Sequence, residues 1–111
     1  MSLMINKIYD EVNKKWNVQL EGEIDIYTAG KLKEAFIKIT DEKKEDIKID
    51  AGKLDYIDST GLGVLIGTLK KLKEAEKDII IFNIKPSIKK LLNITGLDKI
   101  FIIEGWKTIT C

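Results

Sequence analysis

The sequence contains no arginine and no histidine, so all 19 of its basic residues are lysine. Without histidine, the chain lacks the side chain that most often transfers protons near neutral pH. Without arginine, it cannot hold phosphate or guanine through a bidentate fork or supply an arginine finger. The 18 acidic residues leave a net charge of +1. This balance argues against nucleic-acid binding, which normally requires a basic face.

Cysteine and long apolar runs are also scarce. The single cysteine, Cys111, excludes an internal disulfide and a metal site of several thiolates, and we expect it to be a solvent-exposed thiol. No run approaches the roughly 18 apolar residues of a membrane span, and no signal-peptide pattern opens the chain. We therefore expect a cytoplasmic protein with no membrane contact, cofactor or metal.

The length of 111 residues fits one compact domain. The first three residues precede a second methionine, Met4, and look like residues left over from expression. We therefore predict a single domain over residues 4–111 and leave residues 1–3 out of the fold prediction.

Hydrophobic periodicity predicts an α/β fold in the order β-β-α-β-α-β-α-β. Consecutive strand–helix–strand units favour parallel pairing with right-handed crossovers, and the initial hairpin adds one antiparallel pair. Lys48 and Asp50 indicate that part of one sheet face stays wet, whereas the apolar run 79–84 is typical of a central strand covered on both sides. The predicted strands are 5–12, 16–21, 47–51, 79–84 and 99–103. The predicted helices are 28–40, the stretch from about Ser59 to about Lys77, and the stretch from Pro86 or Ser87 to a C-terminal cap at Gly96.

The segment Asp58-Ser59-Thr60-Gly61-Leu62-Gly63 begins the second helix and is the most informative in the chain. Its first three residues are candidate helix caps, and capping alone accounts for such a signal in most proteins. Its two glycines lower helix stability and expose bare backbone that a partner could approach. Leu62 either faces inward or stands exposed beside the serine. The glycine spacing matches neither a dinucleotide fingerprint nor a P-loop.

The segment Gly22-Glu23-Ile24-Asp25-Ile26-Tyr27-Thr28-Ala29 leads into the first helix. Thr28 is a candidate N-cap, and Tyr27 is placed to staple onto Leu32. In a parallel sheet this loop would lie beside the Asp58-Ser59 segment. Two carboxylates beside a serine, without a histidine to carry the proton, do not predict a hydrolase.

Together the two segments resemble the paired motifs of bacterial anti-sigma factor antagonists, which are STAS-domain proteins. The resemblance runs from the first strand to residues 99–103. It implies the STAS fold, a mixed and mostly parallel sheet with helices mainly on one face. It also implies that Ser59 is phosphorylated by a partner that is both anti-sigma factor and serine kinase, and that a phosphatase reverses this. The unphosphorylated chain would bind that partner through a surface formed by Asp25, Thr28, Asp58, Thr60, Gly61, Leu62 and Gly63.

The chain departs from this family at its end. Members usually carry a further helix after the last strand, whereas only residues 104–111 remain here. Trp106 and Ile109 must then be covered in another way, so we expect a monomer with a weak dimer through this edge as the alternative. Alternative functions are a STAS module of another phospho-switch or stress-signalling scaffold, a weak nucleotide hydrolase using Asp25 and Asp58, and a purely structural domain.

Overall fold

A five-stranded mixed sheet is the centre of the computed structural model, which describes residues 2–104. The predicted element order is confirmed, with a short 3-10 turn added before the last strand. The strands are β1 (Leu3–Asp10), β2 (Lys15–Ile24), β3 (Asp46–Ile57), β4 (Ile79–Phe82) and β5 (Ile102–Glu104). The helices are α1 (Ala29–Glu42), α2 (Ser59–Lys73) and α3 (Pro86–Thr95), and the 3-10 turn is Leu97–Lys99.

The strands lie in the sheet in the same order as in the sequence. β1 pairs with β2 antiparallel, and β2, β3, β4 and β5 pair parallel. Because right-handed crossovers that all step in one direction leave their helices on one side, α1, α2 and α3 cover the same face. The predicted mixed sheet with helices on one face is therefore confirmed.

Alternation along the strands separates the helix-covered face from the open face. In β3, Ile47, Ile49 and Ala51 are buried under the helices, and the half-buried Lys48 and Asp50 point to the open face. The predicted wet face is thus confirmed. In β4, Ile79 and Ile81 are buried and their neighbours are half-buried. The expected burial of this strand on both faces is therefore wrong, and the strand stops at Phe82.

The strand β3 is longer than predicted, at 12 residues. Residues 52–57 continue the pairing with β2 through two register shifts, one between Gln19 and Glu21 and one between Gly22 and Glu23. The final pair of this ladder is Ile24 with Ile57. The two strands therefore end side by side, and their following loops start from the same point of the sheet edge.

The C-terminal ends of α2 and α3 can be compared with their predicted positions. Helix α2 stops at Lys73 instead of Lys77, and the N–H of Lys77 donates to the carbonyl of Leu72 at 2.9 Å in the turn that follows. Gly96 adopts a left-handed φ of 77° and closes α3, as predicted. The expectations for Trp106, Ile109 and Cys111 lie outside the described residues.

The first residues take part in the sheet although the fold prediction omitted them. Leu3 pairs with Gly22 and is buried, and its carbonyl accepts a hydrogen bond from Lys31 Nζ. The carbonyl of Ser2 accepts from the N–H of Glu23 at 3.0 Å. Across residues 2–104, no helix combines the length and apolar character needed to cross a membrane.

Polar and aromatic groups close the opposite end of the sheet. The Trp16 ring meets Tyr9 edge to face at 5.1 Å between centroids, and Trp16 Nε1 donates to the carbonyl of Lys43 at 3.0 Å. Burial raises the pKa of the Tyr9 phenol, and the neighbouring Glu45 carboxylate adds to this rise. Glu45 also pairs with Lys77 at 3.1 Å and raises the pKa of that ammonium group.

Two isoleucines of α1 provide a matched test of this packing. Ile39 is 1% exposed and Ile37 is 39% exposed. We expect Ile39→Ala to lower the free energy of unfolding by about 2–5 kcal/mol, because it leaves a cavity in the core. Ile37→Ala should cost about 1 kcal/mol or less. Urea unfolding followed by circular dichroism measures both, and equal losses would contradict the assigned helix face.

Candidate functional site

The two sequence segments meet at the edge where the parallel strands β2 and β3 end. Ile24 pairs with Ile57, and the N–H of Asp58 donates to the carbonyl of Ile24 at 3.2 Å. The loop from β2 to α1 and the first turn of α2 therefore lie side by side, as predicted. Open α/β sheets commonly bind their ligands at this carboxyl edge.

Asp58 caps α2. Its side-chain Oδ1 accepts hydrogen bonds from the N–H groups of Thr60 at 2.9 Å and Gly61 at 3.2 Å. Because the aspartate satisfies these donors, neither neighbouring hydroxyl is needed as a cap. Among the three predicted capping candidates, Asp58 has the role.

Ser59 is the first residue of α2, and its side chain is exposed. Within the described part of the chain, its hydroxyl makes no hydrogen bond, and Thr60 is exposed beside it. The arrangement suits a hydroxyl to which another protein brings the reacting groups.

Asp25 and Thr28 hold the neighbouring loop and are 6% and 8% exposed. Asp25 Oδ1 accepts from the N–H groups of Tyr27 at 2.9 Å and Thr28 at 3.1 Å. The hydroxyl of Thr28 accepts from the N–H of Asp25 at 2.9 Å and donates to the carbonyl of Glu23 at 2.8 Å. These reciprocal bonds tie the two ends of the loop together. The second oxygen of Asp25, Oδ2, is buried and has no hydrogen-bond partner among the described residues.

Two expectations about this loop need correction. Thr28 occupies the N-cap position of α1, but its side chain makes no capping hydrogen bond because it is engaged within the loop. Tyr27 is 84% exposed and does not staple onto the buried Leu32. Because Asp25 folds the loop back on itself, the tyrosine points away from the core.

The glycine-rich part of the second segment divides into buried and exposed positions. Leu62 is 5% exposed and belongs to the core, and Gly61 is buried. A Cβ at position 61 would lie 2.5 Å from Ile24 Cγ2 and 2.8 Å from Ile57 Cγ1. Of the two positions left open for Leu62, the structure shows the inward one, and Gly61 admits the protein's own strand ends. Gly63 is exposed, and a Cβ there would meet no atom within 4 Å.

Sequence reasoning missed the apolar residues that this edge exposes. Ile26 is 71% exposed, Tyr27 84% and Tyr56 50%. Tyr56 lies in β3 and pairs with Glu23 of β2. The available signal was the neighbouring pair Ile26-Tyr27 inside a polar motif, but the staple prediction had turned Tyr27 towards Leu32.

Three kinds of comparison with known proteins indicate the family and the fold of this chain. The family model of the STAS domain matches residues 6–109. The anti-sigma-B factor antagonist of Staphylococcus epidermidis is 36% identical over 91 residues, which cover 81% of this chain and 84% of that protein. The crystal structure of an anti-sigma factor antagonist from Mycobacterium paratuberculosis has a TM-score of 0.79 and 27% identity, covering 94% of this chain and 86% of that one. The phosphorylated form of the Bacillus cell fate determinant SpoIIAA shares the fold, with a TM-score of 0.69, 19% identity, and coverage of 95% and 93%.

The two glycines of α2 provide a matched pair of alanine substitutions. We expect Gly61→Ala to lower the free energy of unfolding by about 1–3 kcal/mol, because the new methyl group overlaps Ile24 and Ile57. Gly63→Ala should raise it by up to about 1 kcal/mol, since alanine is the better helix former and the space is open. Chemical denaturation measures both changes. A stabilised Gly61→Ala variant would refute the close approach.

Proposed function

Because the chain belongs to the STAS-domain family of bacterial anti-sigma factor antagonists, we propose that it binds an anti-sigma factor and that phosphorylation of Ser59 dissociates this complex. The partner is both anti-sigma factor and serine kinase, and a phosphatase restores the binding form. The chain is a cytoplasmic regulatory protein and performs no catalysis itself. The observation that carries this proposal is the exposed Ser59 hydroxyl, unengaged among the described residues, on the first turn of α2.

The position of Ser59 suits a phosphoryl group within the folded chain. A phosphate adds a charge of about −1.5 to −2 near neutral pH. At a helix N-terminus this charge is favoured by the helix dipole, although Asp58 already accepts the N–H groups of Thr60 and Gly61. Because Ser59 is exposed, the phosphate also needs no space in the core. The modified domain therefore keeps its fold, and the same fold occurs in a phosphorylated Bacillus protein.

The same charge has a different effect in a complex. A partner seated over Ser59 would exclude water and enclose the phosphate together with the carboxylates of Asp58 and Asp25. Like charges brought together at an interface cost several kcal/mol, and about 1.4 kcal/mol already changes affinity tenfold. Phosphorylation therefore weakens binding through local repulsion and desolvation, without a conformational change.

Thr60 is also exposed, one residue further along the helix. Its backbone N–H is bound by Asp58, which ties this residue to the cap. We assign Ser59 as the acceptor. The residues that we place in or directly beneath the surface that the partner covers are Asp25, Thr28, Asp58, Thr60, Gly61, Leu62 and Gly63.

The test is phosphate transfer from ATP by the anti-sigma factor kinases of the source organism. We expect one phosphate on Ser59, located by fragmentation mass spectrometry, and none on Ser59→Ala. Thr60→Ala should still carry its phosphate on Ser59, because the acceptor hydroxyl remains, and since Thr60 lies in the covered surface only the site and not the rate of modification is compared. Modification of Ser59→Ala at Thr60, or no modification by any such kinase, would contradict the proposal.

A further inference from the structure

Two large apolar side chains stand in solvent at the sheet edge that also carries Ser59. Ile26 is 71% exposed and Tyr27 is 84% exposed, and both lie in the four-residue loop between β2 and α1. Single exposed apolar residues are common on protein surfaces and need no explanation. Two exposed apolar residues in succession, at the edge that carries the proposed modification site, do need an explanation.

The loop that presents these residues is held by hydrogen bonds at both of its ends. Its two flanking polar residues, Asp25 and Thr28, are buried and hold it by hydrogen bonds of 2.8–3.1 Å to Glu23, Tyr27 and each other. Burying polar groups in this way lowers stability unless each group is paired. The loop thus uses two buried polar side chains to keep Ile26 and Tyr27 outside the core.

A preorganised aromatic side chain is well suited to anchor a complex. Tyrosine is enriched among residues that dominate binding energy, and it loses little conformational entropy because it has few rotatable bonds. A loop already held in one conformation removes a further part of the ordering cost. These properties suit Tyr27 to be inserted into a pocket of a partner.

We infer that Ile26 and Tyr27 are the apolar anchor of this protein and dock into an apolar cleft of the anti-sigma factor beside its kinase centre. The inference rests on the proposed function, because a kinase that reaches Ser59 must also cover the adjoining loop. The Ile24–Ile57 pair and the bond from the Asp58 N–H to the Ile24 carbonyl place that loop next to the first turn of α2. The anchor contributes to affinity whether or not Ser59 is phosphorylated. The phosphate then determines whether the complex holds or dissociates.

The test is titration calorimetry of the full chain with the purified anti-sigma factor and ADP, so that Ser59 stays unmodified. Ile26→Ala has a matched control in Ile94→Ala, because both side chains are 71% exposed and Ile94 lies in the last turn of α3. Tyr27→Ala is compared with Tyr27→Phe, which keeps the ring. We expect Tyr27→Ala to weaken binding about 30-fold or more and Ile26→Ala by about tenfold. Ile94→Ala and Tyr27→Phe should bind like the wild type, and all four variants should keep its unfolding midpoint.

The outcomes separate this inference from the proposed function. If the wild type binds and Ser59 is phosphorylated, but Tyr27→Ala and Ile26→Ala bind as tightly as Ile94→Ala, the anchor is refuted and the switch stands. If the wild type is neither bound nor phosphorylated, both are refuted. Weaker binding of Tyr27→Ala with an unchanged unfolding midpoint supports the anchor.

Discussion

The close approach of α2 to the ends of β2 and β3 is the constraint on which the site depends. Gly61 permits it, since even one added carbon would overlap Ile24 and Ile57. The approach places the Asp58 cap at the sheet edge, where its N–H bonds the carbonyl of Ile24. Ser59 follows directly and is held at the surface with its hydroxyl exposed. In the sequence, Gly61 suggests bare backbone that a partner could approach. In the structure, it is the packing contact that positions Ser59.

The position of Ser59 gives an added phosphate charge two different effects, one in the free chain and one in a complex. Within the folded chain, a phosphate on Ser59 faces a helix N-terminus and water, so the fold tolerates it. Under the proposed partner, the same phosphate would lose its hydration next to the carboxylate of Asp58. On the proposed function, a protein built in this way would change partners without changing shape. It needs no titrating histidine and no hinge, which agrees with a sequence that lacks histidine and with a loop closed by Asp25 and Thr28.

The order of elements could be predicted from the sequence because alternation in β2 and β3 and helical spacing in α1 and α2 are local patterns. The length of β3 could not, since residues 52–57 join the sheet only through pairing with β2 across two irregularities. The location of the site could be predicted from the parallel topology of the sheet. The role of each residue depended on whether its side chain points into the core or into solvent. Leu62 turns inward because Asp58, and not a later residue, caps the helix. Tyr27 turns outward in a loop that Asp25 closes by accepting the N–H groups of Tyr27 and Thr28.

The central claim is that a phosphate on Ser59 changes binding and leaves the fold intact. The most direct measurement is the dissociation constant of the anti-sigma factor for the unmodified and the Ser59-phosphorylated chain, determined side by side under one set of salt and nucleotide conditions. We expect the phosphorylated chain to bind at least about tenfold more weakly, with unchanged circular dichroism. Equal affinity of the two forms, or a loss of affinity that accompanies unfolding, would contradict the account.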